Sequence, residues 1–258
     1  MEVGVKKCAL LFRTHIWPFN ETARHKNINL LSCWSQYLEG ITKYNEREDR
    51  KFDFDLWVLY DNTGRDVGAN PTAANVHLCS VADVKAHGFI HSRSEKFSPF
   101  ARGRVGNCDN LLWYNGEYPV LDFYIRGDSA YAQYWMFEYD VVPHTNFDEY
   151  LAAFDDVDAD FLAYCIKYKS KTPRWMWWNK LDGFDFDEQV GSFFPVTRFS
   201  NKAVATLVDY YRKGAHGFCE VLAPTVIYNA GLTVDSCLKH HPKKCKLVHV
   251  HKNMLKTR

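Results

Sequence analysis

A short apolar run that ends in two acidic residues constrains this chain more than any other stretch. Residues 134–137 are aromatic or apolar, and Glu138, Tyr139 and Asp140 follow directly. Such a run predicts a buried strand. The alternation of side chains along a strand then predicts that Glu138 and Asp140 lie on the same side. Two carboxylates that leave a buried strand together repel one another, so they need a cation or strong hydrogen-bond donors.

Two interpretations of these acids remain open on spacing alone. A hard divalent cation takes one or two protein carboxylates together with phosphate oxygens of a substrate. A magnesium-type ion carrying a phosphate would therefore satisfy Glu138 and Asp140. Alternatively, the strand simply ends in an acidic surface turn.

Strand, helix and strand alternate in the first quarter of the chain. Residues 5–12 and 52–60 predict strands, and apolar residues recur at helical spacing over 22–44. Asn20 or Thr22 is a candidate cap for that helix. This alternation favours an α/β fold with a mostly parallel sheet flanked by helices.

Polar residues come directly after both of these strands. Arg13 and Thr14 come after the first strand, and Asp61 comes after the second. Open α/β sheets bind ligands at the carboxyl ends of their strands. The sequence therefore predicts a ligand site near Arg13, Thr14 and Asp61.

The second half of the chain continues the same pattern within a single domain, residues 1–258. Asn146 and Ser200 predict helix starts, and residues 161–164 and 193–199 predict strands. A further helix is predicted over 221–230, where Pro224 is acceptable only in the first turn.

The composition excludes several classes of protein. The chain has 258 residues, of which 47% are hydrophobic, and 32 basic residues balance 31 acidic ones. This balance argues against a dedicated nucleic-acid binder. No apolar run approaches the ~20 residues of a membrane span, and residues 1–7 do not have the pattern of a signal peptide. The eight cysteines are scattered (Cys8, Cys33, Cys79, Cys108, Cys165, Cys219, Cys237 and Cys245). Buried free thiols in a reducing compartment, and so a cytoplasmic protein, are expected.

Two loop-like stretches carry cations. Arg93, Lys96, Arg102 and Arg104 form a basic cluster within residues 65–106, which is either a solvated loop or a flap facing phosphates. Residues 167–192 hold Trp175, Trp177 and Trp178 among lysines. We expect these tryptophans to lie outside the core and to stack on a sugar or another flat ligand, the alternative being a local cluster that pins the loop.

The acidic segment 134–141 resembles the metal-binding DxD motif of GT-A type nucleotide-sugar glycosyltransferases, in a variant where Glu138 replaces the first Asp. Residues 146–147 and 158–162 are similar to the residues after that motif in some bacterial, fungal and viral members. The segment 216–220, with Pro224 and Thr225 after it, resembles the later acidic motif that carries the catalytic carboxylate. The resemblance covers about residues 5–230 and rests mostly on the order and spacing of short motifs.

The resemblance implies a GT-A fold and a role for each candidate residue. Asp140 would bind Mn²⁺ or Mg²⁺, and Glu138 would contact the ribose or the metal, directly or indirectly. Arg13, Thr14, Asp61 and Asp109 would bind the nucleotide. Glu220 would be the catalytic base. The donor would be a nucleotide-diphosphate sugar and the acceptor a glycan or glycolipid, with the donor half at about 1–142 and the acceptor half at about 143–258.

A histidine near the C-terminus often supplies a further metal ligand in that family, and His249 or His251 could fill this role. The same region also holds Cys237, His240, His241 and Cys245. Cysteines and histidines this close could instead bind structural zinc, although the spacing matches no zinc ribbon or finger.

Other functions remain open as well. A carbohydrate- or nucleotide-binding module on the same fold would use the aromatic residues without needing Glu220. A metal-dependent phosphohydrolase would use Asp140 but would need more ligands around two metals. For a transferase, Asp182, Asp185 and Asp187 are rival bases, and inversion is favoured because one well-placed base is visible in Glu220.

Overall fold

Strands and helices alternate along the chain, as the sequence predicts. The computed structural model describes residues 4–25, 28–89, 111–127, 130–143, 145–182, 184–243 and 247–248. The strands are β1 (Lys6–Thr14), β2 (Arg24–His25), β3 (Ile28–Asn29), β4 (Phe52–Asp61), β5 (Asn75–Cys79), β6 (Gln133–Glu138), β7 (Val142–Pro143), β8 (Phe161–Ala163), β9 (Ile166–Tyr168), β10 (Leu181–Asp182), β11 (Val190–Ser192), β12 (Val196–Ser200), β13 (His216–Gly217), β14 (Val234–Ser236) and β15 (Leu247–Val248). The helices are α1 (Leu30–Asn45), α2 (Val81–Ala86), α3 (Leu111–Tyr114), α4 (Tyr118–Arg126), α5 (Phe147–Ala152), α6 (Asn201–Arg212), α7 (Cys219–Asn229) and α8 (Cys237–His240).

A seven-stranded sheet in the order β14-β8-β12-β6-β1-β4-β5 forms the centre of the fold. Strand β1 pairs in parallel with β4 on one side and with β6 on the other, and β4 pairs in parallel with β5. Strand β12 runs antiparallel to both of its neighbours, β6 and β8, while β14 is parallel to β8. The predicted α/β architecture, a mixed and mostly parallel sheet flanked by helices, is confirmed.

Each face of the sheet packs on its own hydrophobic core, and the alternation of side chains along β1 feeds both. Ala9 and Leu11 face the core that α4, α6 and α7 cover. Cys8, Leu10 and Phe12 face the core that α1 and α5 cover. Helices cover both faces of the sheet at β1. The strand is therefore apolar on both sides, as expected of a central strand.

The first helix is shorter than the sequence predicts. It begins at Leu30, and the side chain of Asn29 accepts a hydrogen bond from the Ser32 backbone N–H. Asn20, one of the two candidate caps, instead closes a local turn through its bonds to Thr22. The prediction of a helix from residue 22 was wrong because a short β2–β3 hairpin comes before the helix.

Two predicted helix starts in the second half can be compared directly. Ser200 caps α6 by accepting from the Ala203 N–H, as predicted. Helix α7 begins at Cys219, two residues earlier than predicted, so Pro224 is its sixth residue. The expectation that Pro224 lies in the first turn was wrong.

The tryptophan-rich stretch is anchored to the body of the protein. Trp178 is 5% exposed, and its indole N–H donates to the Thr172 carbonyl at 2.7 Å. Trp175 packs edge-on against Trp178, and the Trp177 ring lies 4.7 Å from that of Phe218. The prediction that all three tryptophans lie outside the core is wrong for Trp178. Its side chain is buried and hydrogen-bonds to Thr172 within the same loop.

Six cysteines lie in the described part of the chain, and all are free thiols, five of them buried (Cys8, Cys33, Cys79, Cys219 and Cys237) and one, Cys165, partly buried. This confirms for the five buried positions the prediction of buried free thiols.

Within the residues that the structure describes, no helix has the length and apolar character needed to cross a membrane.

A buried arginine joins the sheet to the segment before β8. Arg198, on β12, is 1% exposed. Its guanidinium donates to the carbonyls of Phe154 and Ala159, both at 3.2 Å, and to that of Val157. It also lies over the Trp135 ring at 5.5 Å. These contacts hold the loop after α5 against the sheet.

We therefore predict that Arg198→Met lowers the free energy of unfolding by about 2–3 kcal/mol, because buried carbonyls lose their donor. Urea denaturation followed by circular dichroism measures this. Arg212→Met is the matched control, since Arg212 is exposed at the end of α6 and should change stability by no more than about 0.5 kcal/mol. Equal effects of the two substitutions would show that the Arg198 contacts do not stabilise the fold.

Candidate functional site

The carboxyl ends of three adjacent parallel strands meet at one edge of the sheet. In the register of β1 and β6, Arg13 lies opposite Glu138. In the register of β1 and β4, Thr14 lies opposite Tyr60, which precedes Asp61. The structure thus brings to one edge four of the residues that the sequence singles out.

Arg13 and Glu138 form the central ion pair of this edge. The Arg13 Nη2 donates to Glu138 Oε1 at 2.8 Å, and the two side chains are only 10% and 19% exposed. Burial raises the pKa of Glu138, the positive charge of Arg13 opposes that rise, and the negative charge of Asp140 adds to it. Arg13 is therefore the cation that Glu138 requires.

Asp140 lies in a turn that ends β6. The Val141 N–H donates to the Glu138 carbonyl at 3.0 Å, and the Tyr139 N–H donates to the Arg13 carbonyl at 3.0 Å. The strand stops at Glu138, so its alternation does not extend to Asp140. The strand thus ends in an acidic turn, as the alternative interpretation has it, and the alternation from which we predicted both carboxylates on one side does not reach Asp140.

Asp140 nevertheless acts on Glu138 and on other groups around it. Its negative charge contributes to the raised pKa of Glu138 and Tyr139, and to that of Cys33 and Tyr37 on α1. The carboxylate itself is half-buried. The Asp140 carboxylate therefore makes the potential around this turn negative. A hard cation such as Mg²⁺ binds carboxylate oxygens in such surroundings.

The residues proposed to complete a metal site lie mostly outside the described part of the chain. Asp109, His249 and His251 belong to the undescribed residues. Strand β15 pairs antiparallel with β7, with Val248 opposite Val142, and so lies beside the segment that follows Asp140. Among the described residues, no group of three or more His, Cys, Asp or Glu side chains could hold a metal ion.

Three other members of the Cys/His region, Cys237, His240 and His241, lie in the described part of the chain, and Cys245 lies outside it. Cys237 is 1% exposed, and His240 Nε2 lies 2.8 Å from Asp235 Oδ2. The His241 ring lies edge-on to Phe154 at 5.3 Å. These contacts tie the start and end of α8 to its surroundings.

Thr14 and Asp61 each build the turn that follows their strand. Thr14 Oγ1 donates to the Ile16 carbonyl at 2.7 Å and accepts from its N–H at 3.0 Å. Asp61 accepts from the Thr63 N–H at 2.9 Å and from Arg65 at 2.7 Å. Both side chains are therefore fixed at the sheet edge by short-range contacts.

Glu220, the second residue of α7, is also brought to this edge. Burial raises the pKa of its carboxyl to about 8, with a further contribution from the negative charge of Glu138. A hydrogen bond from the Phe194 backbone and the positive charge of Lys167 oppose the rise. A helix start favours the charged form of an acid, but burial and the charge of Glu138 outweigh this effect on the pKa of Glu220. Among the rival bases, Asp185 and Asp187 are exposed, and the Asp182 side chain lies outside the described atoms.

Sequence reasoning missed a fully buried acid behind Arg13. Glu117 is 0% exposed and accepts a hydrogen bond from the Tyr211 hydroxyl, while its Oε2 is buried and has no hydrogen-bond partner among the described residues. Burial raises its pKa to about 7, against the lowering effects of Tyr211 and Arg13. The only signal in the sequence is a lone Glu between two apolar helical segments.

Gly116 leaves room for the Arg13 guanidinium beside the segment that carries Glu117. A Cβ atom at Gly116 would lie 2.2 Å from Arg13 Nη1, so the guanidinium occupies space that any other residue would fill. Arg13 therefore has Glu138 on one side and the 116–117 segment on the other. One arginine faces two buried or half-buried carboxyl groups.

The raised pKa of Glu117 predicts how stability changes with pH. The folded pKa of about 7 lies above the ordinary value of 4.5, so the folded protein binds more protons than the unfolded chain. The stabilising contribution is complete below pH 4.5 and is lost as the pH rises through about 7. Relative to Glu117→Gln, which keeps an acceptor for Tyr211, the wild type should lose up to about 3 kcal/mol over this range.

Urea denaturation at several pH values measures the difference, and Tyr211→Phe provides the matched variant. That substitution removes the hydrogen bond that favours the charged form, so its pH-dependent loss should extend to higher pH than in the wild type. Parallel stability profiles for the wild type and Glu117→Gln would contradict the shifted pKa.

Comparison with known proteins adds distant structural likenesses. No protein-family model and no curated protein matches the sequence. The chain is similar to Drosophila β1,4-galactosyltransferase 7 in complex with manganese, UDP-Gal and xylobiose, with 11% identity and a TM-score of 0.39 over 98% of this chain and 74% of that one. Mouse xyloside xylosyltransferase 1 gives 11% identity and a TM-score of 0.39 over 90% and 84% of the two chains. The inositol-1-phosphate CTP transferase from T. maritima gives 10% and 0.39 over 90% and 86%. Likenesses this distant establish neither the family nor the activity of this chain.

Proposed function

We propose that this protein is a metal-dependent glycosyltransferase that moves a sugar from a nucleotide-diphosphate sugar to a carbohydrate acceptor with inversion. One observation carries the proposal. The Glu138 N–H from β6 donates to the Pro195 carbonyl at 2.9 Å, the adjacent Phe194 backbone hydrogen-bonds the Glu220 carboxyl of α7, and Arg13 from β1 pairs with Glu138. Arg13, Glu138 and Glu220 come from three distant parts of the sequence, and the resemblance of two acidic motifs to GT-A enzymes concerns the same two glutamates.

Glu220 acts as the base in this proposal. Its carboxylate takes the proton of the acceptor hydroxyl as that oxygen bonds to the anomeric carbon. The bond from that carbon to the diphosphate breaks, and the diphosphate leaves with the bonding electrons. A carboxylic acid whose pKa is raised to about 8 is a stronger base when ionised than an exposed glutamate.

The donor binds along the carboxyl edge in this proposal. Arg13, Glu138, Thr14 and Asp61 contact its nucleotide, together with Asp109, and the first half of the chain, about 1–142, forms this part of the site. The second half, about 143–258, binds the acceptor. The position of the first four residues at one edge supports the proposal.

Asp140 holds the metal, with His249 or His251 as a further ligand. A bound Mn²⁺ or Mg²⁺ would supply Lewis-acid stabilisation of the diphosphate leaving group. The negative field of Asp140 on Glu138 and Tyr139 supports the fit of a cation.

Asp140→Asn should abolish metal-dependent binding of the donor and leave the fold intact, because the residue lies half-buried in a turn. Calorimetric titration of a panel of nucleotide sugars, with Mn²⁺ and with a chelator, measures this. Asp156→Asn removes an exposed acid elsewhere and should bind like the wild type. Donor binding by Asp140→Asn that is as strong and as metal-dependent as that of the wild type would refute the metal role.

Glu220→Gln should retain donor affinity while turnover falls by roughly 10²–10⁴-fold, the usual loss when a general base is removed. Since the base must be ionised, kcat/KM of the wild type should rise with pH through about 8. Asp185→Asn and Asp187→Asn are matched controls on an exposed segment and should turn over normally. Near wild-type turnover by Glu220→Gln would move the base to another residue, whereas donor binding without turnover in the wild type would indicate a binding module.

A further inference from the structure

The loop between β9 and β10 concentrates positive charge. Residues 167–180, here named the basic loop, comprise the last two residues of β9 and the loop that follows. They hold five cations and no acidic residue (Lys167, Lys169, Lys171, Arg174 and Lys180). Lysines elsewhere on the surface pair with carboxylates, as Lys43, Lys213 and Lys239 do. Among the described residues, none of the five cations of the basic loop forms an ion pair; Lys171 instead lies 5.3 Å from the Tyr168 ring centre.

The basic loop also presents an apolar side chain to solvent. Met176 is 69% exposed, more than any other exposed large hydrophobic residue of the described chain. Lys169, Lys171 and Arg174 beside it are also exposed. An exposed apolar side chain surrounded by exposed cations can bind a partner whose outer layer is negatively charged and whose next layer is apolar.

The loop is held in one shape by its tryptophans. The indole N–H of Trp178 donates to the Thr172 carbonyl. The backbone N–H of Trp175 donates to the same carbonyl at 3.2 Å. The Trp175 ring also packs on Gly191, where a Cβ atom would lie 2.1 Å from the ring. At its base, the carboxylate of Glu188 accepts the Ser170 N–H at 3.2 Å. Met176 and its neighbouring cations are thus presented without the entropic cost of ordering a mobile loop.

We propose that the basic loop docks the protein on an anionic lipid bilayer, with Lys169, Lys171 and Arg174 at the headgroups and Met176 inserted between them. Polybasic segments bind such surfaces by about 1 kcal/mol per cation, and apolar side chains add insertion into the interface. Lys167, at the start of the loop, acts electrostatically on Glu220. The basic loop also contacts the start of α7, because the Trp177 ring lies 4.7 Å from that of Phe218, two residues before Glu220. This position suits a glycolipid acceptor; that last step alone rests on the proposed function.

Co-sedimentation of the full chain with lipid vesicles tests the docking without requiring turnover. The protein should bind vesicles of phosphatidylcholine mixed with phosphatidylglycerol and not those of phosphatidylcholine alone. Binding should weaken steeply with added salt, because exposed charges are screened. Failure to bind the anionic vesicles at low salt overturns the proposal.

Matched variants locate the binding surface. Lys169→Gln, Lys171→Gln and Arg174→Gln combined should weaken binding on the order of 100-fold. Lys43→Gln, Lys213→Gln and Lys239→Gln combined remove the same formal charge from exposed positions elsewhere and should bind within a few-fold of the wild type. Equal losses in both triple variants would show a diffuse attraction and overturn the proposal.

Met176→Ser separates insertion from charge. It should weaken vesicle binding several-fold while leaving the salt dependence unchanged, because only apolar contact is removed. Unchanged binding by this variant would refute the insertion of Met176.

Binding of dextran sulfate or single-stranded nucleic acid in place of anionic vesicles would assign the basic loop to another partner and overturn the proposal. A wild type that binds vesicles but never transfers sugar would refute the proposed function alone.

Discussion

The double burial of strand β1 is the constraint on which the rest of the structure depends. Cys8 to Phe12 are 0% exposed, with alternate side chains in two separate cores. A slip of one residue would send every side chain to the wrong core, so the register with β4 and β6 is tightly specified. That register sets Arg13 opposite Glu138. Core packing, and not the polar residues themselves, therefore brings the ion pair of the candidate site together.

Burial also decides the charge at this edge. It is the largest cause of the raised pKa values of Glu117, Glu138 and Glu220. Arg13 and Lys167 are the cations that oppose it, and their effect is smaller than that of burial. A helix start favours an acid by typically 0.3–1 kcal/mol, whereas one pKa unit corresponds to about 1.4 kcal/mol. Desolvation thus outweighs the helix start at Glu220, whose pKa burial raises to about 8.

Local sequence patterns predicted the sheet and much of the site edge, because apolar runs and the polar residues after them are local signals. The strands β1, β4 and β6 and the cap at Ser200 belong to this group. The hairpin before α1 could not be predicted, because its residues carry no strong alternation. The turn at Asp140 stayed one of two alternatives for a different reason: its hydrogen bonds involve the backbones of Arg13 and Glu138, which the sheet brings together.

The buried acid Glu117 could not be predicted either, since its partners are Tyr211 on α6 and Arg13 on β1, both far away in the sequence. The same limit applies to the tryptophans. Composition suggested a ligand platform, but the Thr172 carbonyl and Gly191 that hold Trp178 and Trp175 are matters of three-dimensional contact.

The proline inside α7 has a consequence for the residue one turn before it. Proline has no N–H, so Pro224, which lies inside α7, cannot donate the usual helical hydrogen bond to the Glu220 carbonyl. The first turn of α7 is therefore held differently from the rest of the helix. Glu220 has a backbone oxygen released from the helical ladder and a side-chain carboxyl on the same residue. Glu220 therefore has two oxygen groups of different basicity at the start of the helix: a neutral backbone carbonyl and an ionisable side-chain carboxyl.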